Sequence, residues 1–84
     1  MEDEELLNLI LEKLYYERYS NGIHSIRQAL GDEDSLQLRK NQLVRVMADL
    51  KNNGFVLFSQ MEDDFEAQIT PEGIVYCEDV LMLR

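Results

Sequence analysis

From residue 3 to residue 20 the apolar residues recur at helical spacing. Leu6, Leu7, Ile10, Leu11, Leu14 and Tyr15 form a broad stripe, which predicts an amphipathic helix. Asp3 is its expected N-cap, with Glu4 and Glu5 at the positive end of the helix dipole. Ser20-Asn21-Gly22 closes it. Residues 23 to 30 predict a short second helix with Ile23, Ile26 and Leu30 on one face, ended by Gly31. Asp32-Glu33-Asp34-Ser35 then offers N-caps for a third helix, expected from roughly Leu36 to Asn53. Its core face is Leu36, Leu43, Met47 and Leu50, flanked by Val46, and Gly54 is a natural residue to terminate it.

Beyond Gly54 the period changes. Phe55 to Ser59 is rich in strand formers, and Met61-Glu62-Asp63-Asp64 reads as a hairpin tip. Phe65, Ala67 and Ile69 alternate with Glu66, Gln68 and Thr70, the pattern of a half-buried strand. Thr70 as N-cap and Pro71 at the first helical position start a last helix. It carries Ile74, Val75, Cys77, Val80, Leu81, Met82 and Leu83. Those residues point all round the helix, too widely for one buried stripe. The four glycines fall where breaks between elements are expected.

The order helix, short helix, turn, longer helix, hairpin is that of a winged helix-turn-helix, and two stretches of sequence agree with it. Leu50-Lys51-Asn52-Asn53-Gly54-Phe55-Val56 resembles the family's Leu-x-x-x-Gly-(Leu/Phe/Tyr)-(Val/Ile) junction between recognition helix and wing. Gln68-Ile69-Thr70-Pro71-Glu72-Gly73 resembles the Leu-Thr-x-x-Gly that closes the wing in many small bacterial, archaeal and phage regulators. With the helix-turn-helix segment, the resemblance covers residues 23 to 73. The stretch Asp32 to Leu38 departs from the family, being several residues longer than its usual turn. The resemblance implies an α+β fold, a winged helix of three helices and a two-stranded wing, here with an added C-terminal helix. Winged helices also serve as protein-interaction modules, so function must be argued from the site.

The chain has 84 residues and a net charge of -9, with 45% hydrophobic residues. That suits one folded domain spanning residues 1–84 and argues against binding nucleic acid by bulk charge. The layout of charge is more informative than the total. Residues 1 to 17 carry six acids against Lys13, and residues 54 to 84 carry seven acids against Arg84. Residues 18 to 31 hold Arg18 and Arg27 and no acid, and residues 35 to 53 hold Arg39, Lys40, Arg45 and Lys51 against Asp49. The two helices of the expected helix-turn-helix are therefore the positive segments of an acidic protein.

Helical geometry places Asn41, Gln42, Arg45 and Asn52 outward when Leu43, Met47 and Leu50 face inward. Asn and Gln pair bidentately with adenine and Arg with guanine, so Asn41, Gln42 and Arg45 are the expected base contacts. Arg27, Arg39, Lys40 and Lys51 are the expected phosphate contacts. The wing argues the other way, because Glu62, Asp63, Asp64 and Glu66 repel a phosphate backbone. Leu9, Tyr16, Val80, Leu81 and Leu83 exceed what a minimal winged core needs and are the expected homodimer interface.

Catalytic chemistry finds no foothold. His24 is the sole histidine and Cys77 the sole cysteine, so neither a multi-histidine metal site nor an intramolecular disulfide can form in one chain. His24 reads as a partly exposed helix-start residue and Cys77 as a small buried hydrophobe. The acidic triplets lack the glycine and distant glutamate of a calcium loop and read as solvated turns. No phosphate loop or dinucleotide fingerprint occurs, so no cofactor, metal or enzyme activity is expected. An acidic start to the chain fits neither a secretory signal nor a transit peptide, and no apolar run exceeds four residues. The expectation is a cytoplasmic protein without a membrane span. Its partner is DNA, as a transcriptional regulator, or alternatively a basic protein surface.

Overall fold

The computed structural model describes residues 1–19, 24–31 and 38–83. Helix α1 spans Asp3–Tyr16, strand β1 His24–Ser25, helix α2 Ile26–Leu30 and helix α3 Lys40–Asn52. Strands β2 (Val56–Gln60) and β3 (Phe65–Ile69) follow, and helix α4 (Pro71–Asp79) is last. The chain is α+β, with the element order and pairing of a winged helix plus a C-terminal helix. The sheet has three antiparallel strands in the order β1-β3-β2. The wing is thus wider than the expected two strands, because His24 pairs with Ala67 and Ser25 with Glu66 along the second edge of β3.

The buried face of α1 is Leu6, Ile10, Leu11, Leu14 and Tyr15, as its period dictates. The helix ends at Tyr16, short of Ser20. There Arg18 donates to the freed Tyr15 carbonyl at 2.5 Å and lays its guanidinium over the Tyr15 and Tyr19 rings, which supplies a cap to the last turn. Glu2 is the N-cap and Asp3 the first helical residue, correcting the expected cap. In α2 the helix starts three residues later than expected, because Ser25 is its N-cap: the hydroxyl accepts from the Gln28 amide. His24 is therefore a strand residue. In α3 Leu43, Val46, Met47 and Leu50 are buried. Leu38 and Arg39 precede the helix, so its first residue is Lys40 rather than Leu36. Residues 20 to 23 and 32 to 37, with the expected Asp32–Ser35 caps, lie outside the described residues.

The two family-like stretches meet in one knot. At the end of α3, Phe55 N–H donates to the Leu50 carbonyl and Gly54 N–H to that of Lys51, a Schellman motif that needs the positive φ of 76° found at Gly54. The Thr70 amide then donates to the Phe55 carbonyl at 2.9 Å and its hydroxyl to the Gly54 carbonyl at 2.6 Å. The same hydroxyl caps α4 by accepting from the Gly73 amide at 3.0 Å. Phe55 stacks on Tyr76, ring centroids 4.5 Å apart. Helix α3, the wing and helix α4 are locked together at these few residues.

Within the wing, Phe65, Ala67 and Ile69 are buried while Glu66 and Gln68 are exposed. Helix α4 stops at Asp79 instead of running to Leu83. Leu83 N–H returns to the Cys77 carbonyl, Met82 takes a φ of 60°, and Leu81 and Leu83 pack on the chain's own core. Gly73, expected at a break, sits buried inside α4, where a close approach rather than a turn demands it.

Candidate nucleic-acid interface

Residues of α3 advance by about 100° each, so the ridge opposite its buried face is Asn41, Val44, Arg45, Ala48 and Asn52, all exposed. Lys40 and Lys51 flank it on one side, separated by ~16 Å along the axis, with Gln42 and Asp49 on the other. Arg39 and Lys40 are exposed where the helix starts. The Lys51 ammonium lies 5.5 Å from the Phe58 ring, which draws its stem toward β2. The ridge is polar at both ends and carries its smallest side chain at Ala48.

The structure brings the three expected base contacts together and adds a fourth residue to them. Asp3, at the start of α1, reaches Arg45 with both carboxylate oxygens: Nε donates to Oδ2 at 2.6 Å and a terminal amino group to Oδ1 at 2.9 Å. Gln42 Nε2 donates to the Met1 carbonyl at 2.6 Å and to Asp3 Oδ1 at 3.2 Å. Hydrogen bonding from Arg45 holds the Asp3 carboxyl well below the usual range, at about 2, against the opposing effect of burial, with a lesser pull from Gln42. The same pair pushes the Arg45 guanidinium up. Met1, Asp3, Arg39, Asn41, Gln42 and Arg45 line a shallow cleft of about 760 Å³. Asp3 was invisible as a site residue, because a contact across 42 positions leaves no mark on local pattern.

The wing tip differs from a solvated acidic turn. Asp64 is half-buried and clasps the start of α2, accepting from the Ser25 hydroxyl, from the Arg27 amide at 3.2 Å and from its own neighbour's amide, Phe65, at 2.7 Å. Arg27 Nε donates to the Asp63 carbonyl at 2.6 Å. Arg27, expected on phosphate, therefore holds the wing against α2. Glu62, Asp63 and Glu66 remain exposed.

Of the expected dimer residues, Leu9, Leu81 and Leu83 pack against the core of their own chain. Tyr16 and Val80 remain 58% and 59% exposed. Cys77 is fully buried, as expected of a small hydrophobe, and burial pushes its thiol up to about 11, which removes it from thiolate chemistry at neutral pH. A second cleft, of about 480 Å³, lies between the end of α1, β3 and α4 and holds Arg18 and Glu78. Glu78 accepts from the Tyr15 hydroxyl at 2.8 Å. Among the described residues no three His, Cys, Asp or Glu side chains gather as a metal set, and no helix is long and apolar enough to cross a membrane. Comparison with known proteins found no matching family model, no matching curated protein and no matching solved structure.

Proposed function

We propose that the chain is a small cytoplasmic winged-helix DNA-binding protein and transcriptional regulator that reads duplex DNA with α3. The observation that carries this reading is the exposed ridge Asn41–Val44–Arg45–Ala48–Asn52, flanked by Lys40 and Lys51 in a chain of net charge -9. Asn41, Gln42 and Arg45 meet bases, and Arg39, Lys40 and Lys51 meet phosphates. Arg27 is left out of the phosphate set because the wing holds it. A dimer with three phosphate contacts per chain loses affinity with salt at a log–log slope near about -5, from roughly -0.9 per contact. Arg45→Ala costs roughly 1–3 kcal/mol on a preferred sequence and relaxes the preference. Titration of a random duplex pool at low and moderate salt measures both. No affinity at about 50 mM salt, where charge-driven binding is strong, sinks this reading.

One observation favours a second reading, a protein-interaction module. Glu62, Asp63 and Glu66 stay exposed along the wing, where they repel phosphate and suit a basic protein surface. An empty duplex screen leaves this reading in place.

The assembly proposed is a homodimer, for which Tyr16 and Val80 are the exposed members of the expected interface, while Leu9, Leu81 and Leu83 are half-buried against the chain's own core. Sedimentation at high micromolar concentration should give about twice the chain mass of 9.9 kDa. Val80→Asp should return it to the monomer mass, since an interface core disfavours an unpaired charge. A wild-type monomer at that concentration rules out the dimer.

A further inference from the structure

We infer that Asp3 is a built-in competitor for the base-reading guanidinium of Arg45, holding in the free protein the two donors that a guanine edge takes in the complex. The inference rests on the DNA-binding reading and adds to it a residue that sets the strength and selectivity of the site. Its basis is a match of shape. Arg45 offers a planar fork, Nε with a terminal amino group, and Asp3 accepts from both arms at 2.6 and 2.9 Å. The O6 and N7 atoms of guanine present the same kind of acceptor pair to the same fork in the major groove. Gln42 is drawn into the clasp through Asp3 Oδ1 and the Met1 carbonyl, so one carboxylate occupies two of the three base readers.

The occupancy has a geometric consequence. Asp3 is the first residue of α1, whose packing on α3 fixes where its carboxylate stands. Duplex DNA cannot seat on the Arg45 end of the ridge until that side chain swings aside. Both partners are substantially exposed, with side chains 57% and 41% accessible for Arg45 and Asp3. Exposed pairs of this kind are weak, so the clasp tunes affinity rather than abolishing it. Apparent affinity is the intrinsic affinity multiplied by the fraction of molecules with the clasp open.

The test compares wild type, Asp3→Asn, Arg45→Ala and the double variant on two probes: duplexes selected by wild type or by Asp3→Asn from a random pool, and the unselected pool. Glu4→Gln, an equal change of charge at an exposed neighbour in the same turn, reports simple repulsion. The expected result is a rise of about two- to sixfold for Asp3→Asn on the selected duplexes, a smaller rise for Glu4→Gln, and no gain from Asp3→Asn beyond that of Glu4→Gln once Arg45 is alanine. That non-additivity is the signature of a direct pair. If wild type binds but Asp3→Asn gains no more than Glu4→Gln, or gains equally without Arg45, the competitor is overturned and the DNA-binding reading stands. If no variant binds any duplex, both fall. Asp3→Ser, equally unable to accept on two oxygens, repeats the measurement should the Asn variant fold poorly by circular dichroism.

Discussion

Gly73→Ala should destabilise the chain by about 3 kcal/mol, the upper end of what overpacking costs, and lower Tm on the order of 15 °C for a domain of this size. A Cβ on Gly73 would stand 2.3 Å from the Phe55 carbonyl oxygen and 2.7 Å from Ile69 Cγ1. The first of these is backbone and cannot rotate away. It is also engaged, accepting from the Thr70 amide at 2.9 Å, so relief of the clash costs a hydrogen bond that joins the end of α3 to the end of the wing. Gly54→Ala isolates the other role a glycine can have. Its φ is 76° and no atom lies within 4 Å of an added Cβ, so it pays only for left-handed backbone, about 1 kcal/mol. Thermal denaturation of the two variants should rank them in that order. Equal losses would mean that α4 does not approach Phe55 as closely as the structure has it.

That pair of glycines shows where sequence stops being readable. The letter is the same at 54 and 73, and both follow a helix or strand signal. What separates them is whether another segment lies against the missing side chain, a fact about tertiary contact that local pattern does not carry. The stripe of α1 and the alternation of Phe65, Ala67 and Ile69 were legible because burial of one face imposes a period on the residues that face it. Strand β1 was illegible for the opposite reason. Two residues, His24 and Ser25, have no period, and their pairing with Glu66 and Ala67 spans some forty positions. The tail misled because apolar residues at Val80, Leu81, Met82 and Leu83 look the same whether a helix continues or a turn folds back.

The candidate site divides along the same line. Asn41 and Arg45 were legible as an outward face once Leu43, Met47 and Leu50 had been placed inside. Their electrostatic state was not, since Asp3 reaches Arg45 only through the packing of α1 on α3. Asp64 likewise reads as one more turn acid beside Glu62 and Asp63. Only the placement of Ser25 and of the Arg27 amide under it makes it the clasp of the wing. Charge counted along the chain therefore overstated the cations free to meet phosphate and overstated the acids free to meet a basic partner.

Ile69→Ala should cost roughly 2–4 kcal/mol, as loss of a large aliphatic side chain from a core does, while Glu66→Lys on the same strand should stay within about 0.5 kcal/mol. Ile69 is 8% exposed, on the central strand of the sheet, and sits opposite the fully buried Val56. Glu66 points outward between Ser25 and Ser59. Urea denaturation should show the midpoint of Ile69→Ala falling with an unchanged slope, since the surface exposed on unfolding hardly alters. Comparable losses at both positions would mean a strand register shifted by one, which exchanges the two faces. Combining Ile69→Ala with Gly73→Ala tests the close approach itself. Removing Ile69 Cγ1 takes away the 2.7 Å conflict but leaves the 2.3 Å conflict with the Phe55 carbonyl. The double variant should therefore be less destabilised than the sum of the single variants by about 1 kcal/mol, a coupling typical of residues in contact, yet remain less stable than Ile69→Ala alone. Strict additivity would mean that Ile69 and Gly73 are not in the close contact that the 2.7 Å approach describes.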